Sequence, residues 1–145
     1  MRRLIDTNIL LYAVNRDCPE HARARAFLEQ EIDSGAPWCL SWGVIYEFLR
    51  VSTHPRVFPH PMKAADALAF VAALLSTPSL TMLTGTERHL ELLLKTTGEM
   101  SHAAGNIFHD VKTAVLLREH GVGEIVTADT DFHQFAFLRV TNPIL

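Results

Sequence analysis

Two carboxylates, Asp129 and Asp131, stand two residues apart just after a short apolar run in the segment EIVTADTDF, residues 124–132. Like charges at this spacing raise each other's pKa unless a positive charge lies between them. This stretch alone leaves two explanations open: both are solvated residues of a turn, or a bound cation holds them together. The choice depends on which other acidic residues the fold brings to the same place.

Three more acids are candidates for that place. Asp6 directly follows a predicted strand, while Glu47 and Asp110 lie in predicted helices, each three residues after one apolar residue and four before another. A carboxylate at the edge of a packing face is partly buried and needs a partner. A divalent cation shared with Asp6 and the Asp129/Asp131 pair would be that partner. Ligands that are all carboxylate oxygens favour Mg²⁺ or Mn²⁺ over zinc.

Each acid also has an ordinary explanation when it is taken alone. Asp6 could cap the following helix, Glu47 could be a solvated helix residue, and Asp110 could pair with Arg118. The pair after the apolar run could form Asx turns. The cation hypothesis is favoured because all of these acids would otherwise meet at one edge of one sheet by coincidence.

The elements that must position the acids are short apolar strands alternating with longer helical patterns, which is typical of βαβ units. The predicted strands cover residues 2–5, 38–41, 80–83, 124–127 and 138–143, and the predicted helices cover 8–15, 19–35, 42–54, 62–76, 86–99 and 104–121. They predict a three-layer α/β/α sandwich with a central, mostly parallel five-stranded sheet. In such a sheet, ligands bind beyond the carboxyl ends of the strands.

Helical spacing also predicts which side chains pack inward. Helix 62–76 is expected to be largely buried. The packing face of helix 42–54 is predicted to be Val44, Ile45, Phe48, Leu49 and Ser52. The packing face of helix 19–35 is predicted to be Ala22, Ala26, Phe27 and the aliphatic part of Gln30.

Composition limits the class of protein. A length of 145 residues with 48% hydrophobic and 20% charged residues predicts a single domain, 1–145, with a core of its own. No apolar run is long enough for a membrane helix. Cys18 and Cys39 form no metal-binding pattern, and a reducing cytoplasm fits them. Trp38 and Trp42 are expected in the core or at a dimer interface.

Four stretches of the chain resemble the PIN domain, and in particular the VapC ribonuclease toxins of type II toxin–antitoxin pairs. They are LIDTNILLYAV, YEFLRV, HDVKTAVLLREHGVGEIVTADTDF and the closing FLRVTNP. The resemblance runs over nearly the whole chain, in the order and at the spacing of the family, and residues 55–100 contribute least to it.

The resemblance implies a Mg²⁺- or Mn²⁺-dependent endoribonuclease of PIN-like fold, which acts on RNA. Its acidic cluster falls on Asp6, Glu47, Asp110 and Asp129, with Asp131 as the lesser candidate for the fourth acid. The neighbouring polar positions fall on Thr7, Asn8 and Thr127. The resemblance further implies a homodimer, a VapB-type antitoxin as partner, and a cytoplasmic location.

Substrate contacts must come from local positive charge, because the formal net charge of the chain is −3. The candidates are basic residues that flank the acidic motifs. Arg16, Arg50 and Lys112 are the first choices, and Arg56 and Lys63 are further candidates. Each of these could equally be a solvated surface charge.

Three other functions compete with the nuclease. A haloacid-dehalogenase-type phosphatase needs a second Asp two residues after the first, where this chain has Asn8. A receiver domain needs a phosphorylatable Asp after the third strand, and LTMLTG has none. A PIN fold that binds RNA or a partner without catalysis stays open, since only turnover separates it from an enzyme.

Overall fold

A computed structural model describes residues 2–145 of the chain. Its elements in chain order are β1 (Leu4–Ile5), α1 (Thr7–Val14), α2 (His21–Asp33), β2 (Trp38–Ser41), α3 (Trp42–Ser52), α4 (Ala64–Leu75), β3 (Leu80–Leu83), α5 (His89–Gly98), α6 (Ile107–Glu119), β4 (Glu124–Val126), a 3₁₀ helix (Thr130–Gln134) and β5 (Arg139–Thr141).

The five predicted strands are confirmed, and they form one sheet in the order β3-β2-β1-β4-β5 with every neighbouring pair parallel. Right-handed crossovers place α1–α4 on one face of the sheet and α5 and α6 on the other. This is the predicted α/β/α sandwich. Strands β1 and β4 are central neighbours, paired Leu4 to Ile125 and Ile5 to Val126. The segments that follow them therefore leave the sheet side by side.

Helix α3 follows β2 without a loop, because Ser41 serves as the last strand residue and as the helix N-cap. Its hydroxyl accepts a hydrogen bond from the backbone N–H of Val44 at 3.2 Å, which satisfies one of the free donors of the first turn. The inward face is buried as predicted, with Leu49 partly buried beside Val44, Ile45, Phe48 and Ser52. The opposite face of α3 is therefore open to solvent.

The predicted packing face of α2 is confirmed at Phe27, which packs against the core, and is wrong at Ala22, Ala26 and Gln30. Ala22 and Ala26 are exposed, and the buried side chains are those of Ala24, Leu28 and Glu31. Glu31 is buried because both of its oxygens accept hydrogen bonds from the Arg3 guanidinium, at 2.5 and 3.1 Å. Glu31 therefore lies on the same inward face as Ala24 and Leu28, a position that apolar periodicity does not predict for a carboxylate.

Two other helices differ from expectation. Only Ala67, Val71 and Leu74 of α4 are buried, because alanines fill most of its outer face at little cost. Helix α5 begins at His89 rather than at residue 86, since Thr86 donates from its N–H and its hydroxyl to Glu119 of α6. Within residues 2–145, no helix combines the length and the apolar character that crossing a membrane requires.

Candidate active site

A cleft of about 610 Å³ opens at the carboxyl edge of the sheet, between the first turns of α1 and α3 and the start of α6. Four of the predicted acids line it: Asp6 after β1, Glu47 in α3, Asp110 in α6 and Asp129 after β4. Residues from the two ends of the chain thus reach one cavity because β1 and β4 are neighbours in the sheet.

The Asp6 carboxylate is held by hydrogen bonds from three neighbours. One oxygen accepts from the Thr7 N–H at 2.8 Å, which caps α1. The other accepts from the Thr127 hydroxyl at 2.8 Å and from the Asn8 amide at 3.5 Å. Burial raises the pKa of Asp6 above its usual range and the Asp129 carboxylate raises it further, while the hydrogen bonds from Thr127 and Thr7 oppose that rise.

Thr127 is the centre of this network and is fully buried. Its hydroxyl donates to Asp6 and accepts from the Asn8 amide at 2.9 Å and from the Asp129 N–H at 3.0 Å. One donor and two lone pairs are all that a hydroxyl has. Asn8 completes the network by accepting from the Ala128 N–H at 3.1 Å. The side chains of Thr127 and Asn8 therefore fix the backbone that carries Asp6 and Asp129. Thr7 contributes only its backbone N–H and donates its hydroxyl to the Val44 carbonyl of α3.

Thr127→Val is expected to lower the free energy of unfolding by about 1–3 kcal/mol, because it keeps the shape of the side chain but leaves buried polar groups without partners. The same change at Thr81, an exposed residue of β3, is the matched control and should be nearly neutral. Urea denaturation of the two variants measures the difference. Equal midpoints would show that the Thr127 hydroxyl is not structurally important.

The tightest acidic group consists of Asp110, Asp129 and Asp131, with one carboxylate oxygen of each lying within 4.8 Å of the others. Burial, and then the charges of Asp129, Asp6 and Asp131, raise the pKa of Asp110 from 3.8 to about 7. Asp129 is partly buried in the cleft, while Asp131 is exposed on the 3₁₀ helix and donates its N–H to Asp129 at 2.9 Å. The geometry therefore places both Asp129 and Asp131 beside Asp110.

This group fits a divalent cation on the chemistry of its donors. All three ligands are carboxylate oxygens, which Mg²⁺ and Mn²⁺ accept and zinc does not prefer. Among the residues that the structure describes, no cationic side chain forms an ion pair with any of the three. Bringing these charges together without a cation is costly, and the raised pKa of Asp110 expresses that cost.

Glu47 lines the same cleft but stands apart from the three aspartates. Both of its oxygens accept from Arg50, at 2.6 and 3.2 Å, and its side chain is 44% exposed. An exposed pair three residues apart on a helix contributes little to stability. Glu47 and Arg50 can therefore separate at small cost when another charged group enters the cleft.

A second basic side chain, Lys112, reaches into the cleft from α6 across Gly43. A methyl group on Gly43 would lie 3.0 Å from both Cε and Nζ of Lys112. The missing side chain of Gly43 thus provides the space in which the ammonium group rests, next to the first turn of α3.

Comparisons with known proteins agree with this geometry. The family model of the PIN domain matches residues 3–138. Ribonuclease VapC33 of Mycobacterium tuberculosis is 36% identical over 139 residues, which are 96% of each chain.

This chain belongs to the PIN domain family. Ribonuclease VapC25 of M. tuberculosis is 34% identical over 140 residues, 97% of each chain. The PIN fold also appears in solved structures at lower identity. The Rickettsia felis VapBC2 structure, bound to a promoter DNA fragment, matches at TM-score 0.70 and 19% identity, covering 98% of each chain. M. tuberculosis VapC20, described as a sarcin-ricin loop cleaving toxin, matches at TM-score 0.68 and 18% identity, covering 97% of this chain and 99% of that one.

The structure of this PIN domain shows which of the basic residues predicted to contact substrate lie in the acidic cleft. Arg50 and Lys112 line the acidic cleft. Arg16 does not: it lies in a separate groove between α1, α2 and α4, together with Leu28, Phe70 and Leu74. Its place next to α1 in sequence suggested the cleft, but the chain turns away from the sheet edge after α1.

Sequence reasoning missed the aromatic side chains of the PIN cleft. Trp38 is fully buried, which confirms the core placement expected for it, whereas Trp42 lines the cleft, is 47% exposed and is therefore not in the core. The dimer interface expected as the alternative for Trp42 stays a prediction. Tyr46 lines the cleft as well and is 69% exposed. The available signal was their spacing of four residues on the face of α3 opposite Val44, Ile45 and Phe48.

Gly43→Ala is expected to move the Lys112 ammonium group out of its resting position, because the new methyl would contact it at 3.0 Å. The end of a lysine side chain yields easily, and alanine suits a helix better than glycine, so the melting temperature should hold or rise. Affinity for RNA should fall as far as it does in Lys112→Ala. Fluorescence-anisotropy titration and thermal melting measure the two effects. A Gly43→Ala protein with unchanged RNA affinity would show that the resting position of Lys112 is unimportant.

Proposed function

We propose that this PIN domain, residues 1–145 acting as one domain, is a metal-dependent endoribonuclease and the toxin of a toxin–antitoxin pair. The proposal is carried by one observation: Asp6, Glu47, Asp110 and Asp129 line a single cleft at the carboxyl edge of the sheet. The curated relatives, named ribonucleases and matched over nearly their full length, support RNA as the substrate.

The cation would be Mg²⁺ or Mn²⁺, held by Asp110 and Asp129 with Asp131 and Asp6 close to them. When bound, it would neutralise these carboxylates, lower the pKa of a water molecule and stabilise charge on the phosphoryl oxygens. Thr127 and Asn8 keep Asp6 in place by hydrogen bonds, so the carboxylates need not rearrange before reaction.

The other charged side chains of the cleft bind the substrate and accept a proton. Lys112 and Arg50 attract the phosphates on either side of the bond to be cut. Once Arg50 turns toward a phosphate, the Glu47 carboxylate is free to accept the proton of the water whose oxygen attacks phosphorus. The bond from phosphorus to the ribose oxygen breaks, and that oxygen takes a proton from solvent. The reaction requires no nucleophile from the protein.

The partners of the proposed toxin follow from its relatives. The R. felis VapBC2 structure supports a VapB-type antitoxin as the protein that silences this chain. We further propose a homodimer and a cytoplasmic location, since an RNA-cleaving toxin must reach the RNA of its own cell. An open reading frame for a small DNA-binding protein next to this gene would support the pairing.

The test is cleavage of an end-labelled total-RNA pool by the purified chain in Mg²⁺, in Mn²⁺ or in EDTA. We expect discrete products that require the cation. Products that form equally in EDTA would contradict a metal-dependent nuclease. RNA that binds and is never cut by a folded, cation-binding protein would instead identify a PIN fold that has lost catalysis.

A further inference from the structure

Helix α3 presents two aromatic side chains to solvent, on the face opposite its buried one. Trp42 is 47% and Tyr46 is 69% exposed, and their ring centroids lie 6.5 Å apart with the planes inclined by 50°. A spacing of four residues places both rings on one side of the helix. Large aromatic side chains gain by burial, so an exposed pair marks a surface that binds something.

The surroundings of the two rings are charged. Trp42 and Tyr46 line the same cleft as the acidic residues, and Lys112, which rests against Gly43, and Arg50, one turn beyond Tyr46, line it too. Protein–protein interfaces are enriched in aromatic residues and arginine, but lysine and the acidic residues are depleted there. A nucleotide, in contrast, presents a flat apolar base and a phosphate within a few ångströms of each other. The rings of Trp42 and Tyr46 can stack on the base, and the neighbouring cationic side chains can bind the phosphate.

We propose that Trp42 and Tyr46 stack against an unpaired base of the RNA, one that neighbours the phosphate to be cut. This inference rests on the proposed function and adds two residues that contact the substrate. A base within a duplex is stacked on both sides and cannot reach the rings, so the cleft selects single-stranded or looped RNA. Every base has a π-face, and the platform therefore contributes little preference for one base over another.

The two tryptophans make the proposal directly measurable. Trp38 is fully buried and Trp42 is half exposed, so RNA that stacks on the surface changes the fluorescence of Trp42 alone. The probe is a 12-nucleotide single-stranded RNA of mixed sequence, titrated into the full chain carrying Asp110→Asn to prevent cleavage, with Mg²⁺ present. The same backbone without bases, and a duplex of equal length, separate stacking from phosphate binding.

We expect the single strand to quench the fluorescence, and the base-free strand and the duplex to leave it nearly unchanged. Adding Trp42→Phe should abolish the quenching, because only Trp38 then emits. Tyr46→Ala should weaken binding of the single strand roughly 5- to 150-fold, while Tyr46→Phe, which keeps the ring, should bind like the parent. Leu68→Ala, an exposed apolar residue of α4 outside the cleft, is the control for surface apolarity and should have no effect.

Two results in the binding and light-scattering measurements would each overturn the stacking platform. One is equal binding of the base-containing and base-free strands. The other is a dimer that Trp42→Ala or Tyr46→Ala converts to a monomer in light scattering while RNA affinity is kept, which would make the rings an interface between two copies.

The failure of this inference can be distinguished from failure of the proposed function. Wild-type protein that cleaves RNA, with a KM unaffected by Tyr46→Ala, would overturn stacking and leave the nuclease standing. Quenching by single-stranded RNA in a protein that never cleaves would support stacking and contradict the nuclease.

Discussion

Asp110→Asn is expected to reduce the single-turnover rate of RNA cleavage by at least about 100-fold, the scale of a lost acid–base or charge-stabilising group. A carboxylate oxygen of Asp110 lies within 4.8 Å of one from Asp129 and one from Asp131, and burial followed by the charges of Asp129, Asp6 and Asp131 raises the pKa of Asp110. Asparagine keeps the shape and one oxygen but removes the charge that a divalent cation requires.

The fold of this variant should hold. Removing a charge that burial and three neighbouring carboxylates destabilise is expected to keep or raise the melting temperature in the absence of metal at pH 8. Asp33→Asn, the same chemical change at an exposed position at the end of α2, is the matched control and should cleave at the normal rate. Cleavage that survives in Asp110→Asn would mean a contaminating nuclease or a different active site.

In protein free of metal, the contribution of Asp110 to the free energy of unfolding should fall as pH rises from about 4 to about 7. The folded-state pKa of Asp110 is raised from 3.8 to about 7, so across that window the folded chain binds more protons than the unfolded chain. Stability rises with pH only where the unfolded state binds more protons, and here the sign is the opposite. The raised pKa of Asp6 acts in the same direction.

A divalent cation should reverse this dependence. It binds the ionised carboxylates, so its affinity should increase with pH up to about 7, proton release should accompany binding, and millimolar Mn²⁺ should raise the melting temperature most above pH 7. Denaturation of wild-type and Asp110→Asn protein in EDTA from pH 4 to 8 isolates the part due to Asp110. Parallel pH curves for the two proteins would contradict a raised pKa at this residue, and a melting temperature indifferent to Mn²⁺ would count against the site.

Sequence patterns located the acids because hydrophobic periodicity and strand ends are local properties. The inner face of α3 follows from the spacing of Val44, Ile45 and Phe48, and this spacing puts Glu47 at the edge of the packing face. The neighbouring positions of Asp6 and Asp129 needed one more step. They depend on strands β1 and β4 being neighbours in the sheet, which the sequence patterns do not specify and the strand pairing shows.

Properties that depend on contacts distant in sequence were not predictable. Glu31 is buried on the inward face of α2 because Arg3, 28 residues earlier, pairs with it. The pairing of Glu47 with Arg50 is local in sequence. The exposure of the Trp42 side chain is not local, because it depends on how the other elements of the described chain pack around α3. Arg16 was misplaced because sequence proximity to Asp6 says nothing about the direction in which the chain leaves α1.

Crystals of the protein grown with Mn²⁺, examined by anomalous scattering, would test the metal-dependent site most directly. The predicted result is a strong peak between the carboxylates of Asp110 and Asp129, close to Asp131 and Asp6, that disappears in Asp110→Asn crystals grown under the same conditions. A strongest peak outside the cleft, or a peak in the cleft that persists unchanged in the variant, would contradict a catalytic cation held by these aspartates.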